Sequence, residues 1–318
     1  MGRPVVGVIG GGAWGIALAV AAARAGSSTL LLSRRSPPSL PAGIRLVHSD
    51  SEIGELARLI VLAVPSAVAR GVARSLGAHL DGRHFVVHGV RGLVPREAGD
   101  RDDGARDLET ISDVVRDETP ARRIGALGGP AVASDLVAGR PSVMVCGSRY
   151  PEVTHAFHEA FSTPALRIYS TNDLLGLEWA SALVGCLAIC VGYARGVGMG
   201  PGLLAAVITR AVEEGARLAS AAGGEERTLL GLAGYGDLLA SSSQAERPEV
   251  LLGEALAKGK TLDHALAEAG QRVEAVELTG RVVEWAAARD VKAPIFAALA
   301  GGILSGDGGA LVRELMTG

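Results

Sequence analysis

The sequence predicts an α/β fold, with a doubly wound sheet in the first half of the chain and an all-α domain in the second. Short continuous apolar runs alternate with helix-like segments up to about residue 172, and long helical patterns replace them beyond that point. Continuous apolar runs of this length are typical of parallel strands that are buried on both faces. We therefore expect two domains, residues 1–172 and residues 173–318.

The first predicted strand runs directly into a glycine loop and the start of a helix. Residues 5–9 read Val-Val-Gly-Val-Ile, and residues 10–15 read Gly-Gly-Gly-Ala-Trp-Gly. Gly10 permits a tight turn, Gly12 leaves room for a pyrophosphate beside the backbone, and Gly15 lets the helix pack closely on its strand. A bound anion would then lie at the helix N-terminus. This spacing at a strand-to-helix junction predicts a dinucleotide site.

The rest of the predicted sheet follows along the first half of the chain. Its further strands are the apolar runs at residues 28–33, 59–64, 85–87, 123–127 and 142–145. The charged stretch at residues 96–106 is typical of a solvated loop. Ligands of a doubly wound sheet bind at the carboxyl ends of its strands, so we look for site residues there.

The end of the second strand bears on the choice of cofactor. An acidic residue that binds the ribose 2′-hydroxyl is expected there in a protein specific for NAD, but Arg34 and Arg35 occupy the position. Two guanidinium groups suit a 2′-phosphate, which favours NADP. A solvated loop in an arginine-rich protein and dual use of NAD and NADP remain the alternatives.

The second half of the chain is predicted to be helical. Glycine-rich breaks at residues 198–202, 222–224 and 301–302 divide it into long helical patterns. Apolar helical patterns at residues 201–218 and 276–288 suit either an internal core or the interface of a homodimer. The cysteines show no metal-ligand spacing, and we interpret them as buried thiols: Cys146, Cys186 and Cys190.

The composition favours a soluble enzyme that acts on a small molecule. Hydrophobic residues make up 48% of the chain and charged residues 20%, and the net charge is −3. This balance offers no basic surface for nucleic acid or for an anionic membrane. The apolar stretches are short and bounded by glycine or charge, so we expect a cytoplasmic protein without a membrane or nucleic-acid partner and without a metal.

Motifs along the whole chain resemble those of the NAD(P)-dependent glycerol-3-phosphate dehydrogenase family, in the family's order and spacing. They lie at residues 10–15, 62–66, 128–133, 161–164, 171–178, 206–210, 231–237 and 270–274. The resemblance implies a Rossmann-like domain, a helical substrate domain, a homodimer and binding of NADP or NAD. The cofactor contacts that it implies are Gly10, Gly12, Ala13, Trp14, Gly15, Pro65, Ala133 and Glu274.

The chain departs from this family at the residues that would perform the chemistry. A family lysine within Ala-Leu-Lys-Asn acts at the carbinol or carbonyl oxygen, but here Val184 stands at the lysine's place and Gly185 at the asparagine's. A side chain that polarises a ketone and delivers a proton has thus become aliphatic. A second family lysine is matched by Arg91, which keeps the charge but is a poor proton donor because of its high pKa.

Substrate recognition is altered as well. In the family, a Ser-Arg-Asn segment holds the substrate phosphate and the cofactor. Constant spacing from Asp237 puts Pro248 and Glu249 at the arginine and asparagine places. A carboxylate beside a phosphate is repulsive. Arg247, one residue earlier, is the candidate that compensates.

Other candidate site residues are retained. Asp237 matches the family's active-site aspartate, and Ser241 replaces a threonine with another hydroxyl. Arg210 and Glu274 match residues near the cofactor, with an ion pair as the alternative interpretation. For Asp237 the alternative is a helix N-cap. His88 closes a predicted strand and is a candidate proton donor, although a lone histidine is more often structural.

Three functions fit this pattern. The sequence favours a reductase that acts on an unphosphorylated C=N or C=O compound, since a protonated imine is electrophilic without a lysine and suits Asp237 and Glu249 as counter-charges. The first alternative is a true glycerol-3-phosphate dehydrogenase with a rebuilt site. The second is a protein that binds NAD(P) without catalysis.

Overall fold

The computed structural model describes residues 4–34, 40–96, 107–244, 246–270, 273–302 and 304. Two compact units are present, Met1–Val94 with Glu109–Glu178 and Pro95–Leu108 with Trp179–Gly318. The first unit alternates strands and helices, and the second is helical, which confirms the predicted fold class. The domain boundary between residues 172 and 173 stays a prediction.

The first unit is built on an eight-stranded sheet. The strands of the chain are β1 (Val5–Ile9), β2 (Ser28–Leu32), β3 (Ile44–Val47), β4 (Leu59–Leu62), β5 (Phe85–His88), β6 (Val94–Pro95), β7 (Leu108–Glu109), β8 (Arg123–Gly128), β9 (Ser142–Gly147) and β10 (Leu166–Thr171). The order in the large sheet is β10-β9-β8-β5-β4-β1-β2-β3, and β6 pairs with β7 separately. Neighbours are parallel except β8 and β9, which are antiparallel.

Two strands of this sheet were not predicted from the sequence. β3 has four residues, Ile-Arg-Leu-Val, and Arg45 interrupts its apolar run. β10 alternates buried and exposed side chains over residues 166–169, and these two strands form the edges of the sheet. Continuous apolar runs are typical of strands buried on both faces, and edge strands of this kind lack them.

Helices cover both faces of the sheet. They are α1 (Ala13–Arg24), α2 (Asp50–Leu56), α3 (Ser66–Gly77), α4 (Ile111–Glu118), α5 (Ala133–Ala138) and α6 (Pro151–Phe161). Within β4, Val61 packs in one hydrophobic cluster with α1 and α6, and its neighbour Ile60 packs in a second cluster with α2, α3 and α4. Successive side chains of a strand point to opposite faces, so this alternation establishes a doubly wound sheet.

The second unit contains the remaining helices. They are α7 (Leu174–Gly196), which begins in the first unit, α8 (Pro201–Ala221), α9 (Glu226–Leu230), a π-helical turn (Leu232–Gly236), α10 (Asp237–Ser243), α11 (Pro248–Ala257), α12 (Leu262–Ala269), α13 (Ala275–Ala287) and α14 (Pro294–Gly301). By length and composition α7 could cross a membrane, but 94% of its apolar stretch is buried within the chain, as in a core helix.

An ion-pair network between α3 and α4 gives a stability prediction. Glu118 accepts hydrogen bonds from Arg74 Nε at 2.8 Å and from Arg70 Nη1 at 3.0 Å, and these bonds lower its pKa. Because the folded pKa lies below the unfolded one, the stabilisation is present above the unfolded value, about 4.3, and is lost as pH falls through the folded value. Glu118→Gln is expected to lower the free energy of unfolding by about 1 kcal/mol at neutral pH.

Urea unfolding at pH 7 and pH 3 checks this prediction. The difference between wild type and Glu118→Gln should shrink at pH 3, while the exposed Glu55 serves as a matched control through Glu55→Gln. A difference that is equally large at both pH values would contradict the proposed origin of the stabilisation.

Candidate functional site

The loops that follow β1 and β4 lie side by side at the carboxyl edge of the sheet. The Gly10 N–H donates to the Leu32 carbonyl at 3.0 Å, and the Ala63 N–H donates to the Ile9 carbonyl at 2.8 Å. Both bonds continue the strand ladders by one residue. The connections of β1 and β4 turn to opposite faces of the sheet, which opens a crevice between them, where ligands of doubly wound folds bind.

The glycine loop is closed where it packs and open where a ligand would approach. Gly10 has φ +125°, and a Cβ there would lie 2.1 Å from the Ala63 carbonyl oxygen. A Cβ on Gly15 would lie 1.9 Å from the Gly10 carbonyl oxygen, whereas one on Gly12 meets nothing within 4 Å. Gly12 is the N-cap of the twelve-residue α1, whose first N–H groups have no partner within the helix. This cradle fits the pyrophosphate of a dinucleotide.

A pocket of about 850 Å³ opens beside the glycine loop in the first unit. Gly10, Gly12, Arg34 and Pro65 line it, as predicted for a cofactor site. Further lining residues were not found from the sequence: His48, Ser49, Asp50, Ser51, Val68, Gly71, Val72, Ser75 and His79. They lie after β3 and on or just after α3. Because β3 was not predicted, nothing in the sequence indicated that residues 48–51 would reach the site. Arg35 lies outside the described residues.

Trp14 and Ala133 take positions near other loops of the sheet. Trp14 is half-buried, and its indole packs on the turn after β5, where a Cβ on Gly89 would come within 2.4 Å of Trp14 Nε1. Ala133 begins α5 after the loop that follows β8, and Ala13 begins α1. Their contacts with a cofactor stay predictions.

His88 is fixed in the interior of the first unit. Its Nε2 lies 2.8 Å from Glu178 Oε1, and the Ser112 N–H donates to the same oxygen at 2.8 Å. The two side chains of the pair are 2% and 3% exposed. His88 Nδ1 is buried and makes no hydrogen bond within the described part of the chain. Proton transfer by His88 therefore stays a prediction, and only Nδ1 is left to perform it.

Arg91 connects two loops at the carboxyl edge of the sheet. It is half-buried, and its Nη2 donates to the Gly129 carbonyl at 3.4 Å. Gly129 follows β8 and has φ +93°. The guanidinium group thus bridges the loops after β5 and β8, which is a position compatible with contact to an anionic ligand.

In the second unit, Arg247 gathers three predicted site residues around its guanidinium group. It immediately precedes α11 and is 8% exposed. Its Nε donates to Glu249 Oε2 at 3.0 Å, and its Nη1 donates to Asp237 Oδ1 at 3.4 Å and to the Ser241 hydroxyl. Asp237 and Ser241 lie one turn apart on α10, and both are buried. We call these four residues the Arg247 cluster.

The Arg247 cluster lies against the turn of α7 that is altered relative to the family. Val184 is 1% exposed. A Cβ on Gly185 would meet Glu249 Oε1 at 3.7 Å. Glu274, predicted near the cofactor, is half-buried at the N-cap of α13. The Glu249 carboxylate of the Arg247 cluster therefore lies beside the place where the resemblance leads us to expect an asparagine.

Cys146, Cys186 and Cys190 are buried free thiols. No group of three or more His, Cys, Asp or Glu side chains among the described residues could hold a metal ion. Burial raises the pKa of the Cys186 thiol to about 12 and also raises the pKa values of Cys146 and Cys190. Protonated buried thiols are unreactive, which agrees with the interpretation from the sequence.

Comparisons with known proteins place this geometry in a family. Two family models match, described as the N-terminus and the C-terminus of NAD-dependent glycerol-3-phosphate dehydrogenase, over residues 37–154 and 173–307. The chain is similar to the glycerol-3-phosphate dehydrogenase [NAD(P)+] of Bradyrhizobium diazoefficiens, with 34% identity over 93% of this chain and 90% of the relative. The corresponding protein of Desulfitobacterium hafniense is 32% identical over 91% and 84% of the two chains.

A solved structure agrees with these sequence relatives. The crystal structure of glycerol-3-phosphate dehydrogenase from Coxiella burnetii superimposes with a TM-score of 0.87 and 25% sequence identity, over 99% of each chain. The similarity extends through both units and not only through the widely shared dinucleotide fold.

Proposed function

Because the chain belongs to the NAD-dependent glycerol-3-phosphate dehydrogenase family and is an NAD(P)-dependent oxidoreductase, we propose that it reduces dihydroxyacetone phosphate to glycerol 3-phosphate and catalyses the reverse oxidation. The observation that carries the proposal is the glycine loop, which is closed at Gly10 and Gly15 and open at Gly12. The relatives named glycerol-3-phosphate dehydrogenase [NAD(P)+] match this chain over most of their length, and their name supports this substrate.

In this proposal the two units perform separate tasks. The bound dinucleotide supplies a hydride, and the first unit binds its pyrophosphate at the N-terminus of α1. The second unit binds the polar groups of the substrate through the Arg247 cluster. Arg91 supplies a further positive charge at the carboxyl edge of the sheet.

A second candidate is the unphosphorylated C=N or C=O compound that the sequence favours. The relatives' names support the phosphorylated substrate better. The observation in favour of the second candidate is that Arg247 already pairs with two carboxylates, those of Asp237 and Glu249. A guanidinium group neutralised in this way attracts a phosphate dianion weakly, and the surrounding carboxylates suit a cationic imine.

Oxidation of NADPH and NADH with three substrates separates these candidates. We expect dihydroxyacetone phosphate to give a higher kcat/KM than dihydroxyacetone and than a five-membered cyclic imine. A preference for either unphosphorylated compound would support the second candidate. Binding of NADPH, seen by fluorescence, without oxidation by any of the three would contradict both.

We propose further that NADPH is preferred over NADH because Arg34 lines the pocket where the 2′-phosphate is expected. Arg34→Ala should raise the KM for NADPH about tenfold or more while leaving the KM for NADH nearly unchanged, since a hydrogen bond to a charged group contributes about 1.5–3 kcal/mol. Arg45→Ala is the matched control, since Arg45 is an exposed arginine on β3 that does not line the pocket. Equal changes in both KM values would contradict this role.

A further inference from the structure

We infer that Arg247 replaces the family's lysine as the cation that binds the reacting oxygen of the substrate, an inference that rests on the proposed function. The resemblance assigns this task to a residue at position 184, where the chain has a buried valine. It assigns phosphate recognition, a different task, to the arginine place that Pro248 occupies. Arg247 stands at neither of these two places, and its surroundings indicate which of the two tasks it performs.

The burial of Arg247 requires a reason. A guanidinium group that is 8% exposed loses most of its hydration, and this loss is offset only by good hydrogen bonds. Two carboxylates and a hydroxyl supply them. The Ser241 hydroxyl donates to the Asp237 carbonyl at 2.5 Å, so its lone pairs remain for Arg247 Nη1. The cluster holds the guanidinium plane in one orientation.

The same orientation leaves donors for a ligand. Nε and Nη1 make the hydrogen bonds of the cluster, whereas Nη2 makes none among the described residues. A guanidinium group carries five N–H donors, two of them on Nη2. A carbonyl or alkoxide oxygen fits these two donors. The surrounding carboxylates of Asp237 and Glu249 repel a phosphate dianion more strongly than the smaller negative charge that develops on the reacting oxygen.

The position of the cluster supports the same assignment. Glu249 Oε1 lies 3.7 Å from where a Cβ on Gly185 would be, and Val184 precedes Gly185 on α7. The cluster therefore reaches the turn from which the family's lysine projects. The lysines of this chain all lie elsewhere in the sequence, at Lys258, Lys260 and Lys292.

The chemistry of an arginine in this place differs from that of a lysine. Hydride addition to the carbonyl carbon breaks the C=O π bond, the electron pair moves to oxygen, and NAD(P)H becomes NAD(P)+. Arg247 stabilises the resulting alkoxide by hydrogen bonding but keeps its own protons, because a guanidinium group is not deprotonated in proteins. Water then supplies the proton to the alkoxide.

Arg247→Ala and Arg247→Lys test this inference. Arg247→Ala should bind NADPH like the wild type but show a kcat lower by about 100-fold or more, the usual effect of removing an oxyanion donor. Added guanidinium ion should restore part of that kcat. Arg247→Lys should keep part of the activity and lose it as pH rises through about 10.4, whereas the wild type shows no such loss.

Arg195→Ala is the matched control. Arg195, also in the second unit, pairs with Glu254 at 3.2 Å and donates to the Ser242 carbonyl at 2.7 Å. Its loss should change stability without guanidinium rescue. An Arg247→Ala protein that binds NADPH and loses no more kcat than Arg195→Ala overturns the inference. If Arg247→Ala does not fold, an Arg247→Lys protein with the wild-type pH profile overturns it.

The result also separates this inference from the proposed function. If the wild type reduces another carbonyl compound but not dihydroxyacetone phosphate, the proposed function fails, and the Arg247 variants are measured on that compound. If the wild type reduces no carbonyl compound, the affinity for glycerol 3-phosphate is measured by calorimetry in place of kcat. Equal binding by wild type and Arg247→Ala then overturns the inference.

Discussion

Gly10→Ala is expected to destabilise the first unit by about 3 kcal/mol or more and to abolish NADPH binding. The new Cβ would lie 2.1 Å from the Ala63 carbonyl oxygen at a φ of +125°. The β1 loop and the β4 loop would have to separate, because both neighbours of the new methyl group are backbone. Thermal unfolding and NADPH fluorescence titration measure the two effects.

Gly12→Ala separates binding from folding in the same loop. A Cβ on Gly12 meets no protein atom within 4 Å, so stability should change by less than about 0.5 kcal/mol. NADPH affinity should nevertheless fall about 10–100-fold because the methyl group occupies the path of the pyrophosphate. Gly200→Ala is the matched control, since Gly200 is the N-cap of α8 and is equally open. A Gly12→Ala protein with wild-type affinity would contradict the placement of the cofactor.

The second large effect concerns a buried carboxylate in the second unit. Glu214, 1% exposed on α8, accepts the Ile295 N–H at 2.9 Å through Oε2 and the Phe296 N–H at 2.7 Å through Oε1. It therefore caps α14 from a distant helix. Glu214→Ala leaves both N–H groups buried without these partners. We expect this substitution to lower the free energy of unfolding by about 2–5 kcal/mol. In Glu214→Gln the amide NH₂ faces one of the two backbone N–H groups, so this substitution should lower the free energy of unfolding by about 1–3 kcal/mol.

Tryptophan fluorescence during urea unfolding measures this effect. Trp179 and Trp285 pack against each other in the second unit, with ring centroids 4.6 Å apart and an interplanar angle of 51°, and report on that unit. The adjacent, exposed Glu213 provides the control through Glu213→Gln, which should be close to neutral. A Glu214→Ala protein as stable as Glu213→Gln would show that the cap contributes nothing.

The glycine loop could be predicted from the sequence because its function depends on local spacing. Gly10, Gly12 and Gly15 fall within six residues, and a strand and a helix flank the loop. The same holds for Arg34, which lies two residues after the end of β2. Features of this kind can be predicted because the residues that form them lie close together in the sequence.

The partners of His88 and Arg247 could not be predicted in the same way. His88 and Glu178 are 90 positions apart, and only the fold brings them together. Arg247 was identified from its charge near a displaced motif, but its pairing with Asp237 depends on the loop between α10 and α11. The wall of the pocket at residues 48–51 depends on β3, a four-residue edge strand whose apolar run is interrupted by Arg45.

Transfer of deuterium from labelled NADPH tests most directly whether this chain, without the family's lysine, still performs hydride transfer. The wild-type protein is incubated with NADPH deuterated at the transferable position of the nicotinamide and with dihydroxyacetone phosphate, and the product is examined by mass spectrometry. Glycerol 3-phosphate with one deuterium on its secondary carbon is the predicted result. Unlabelled or absent product, from protein that binds NADPH, would contradict it.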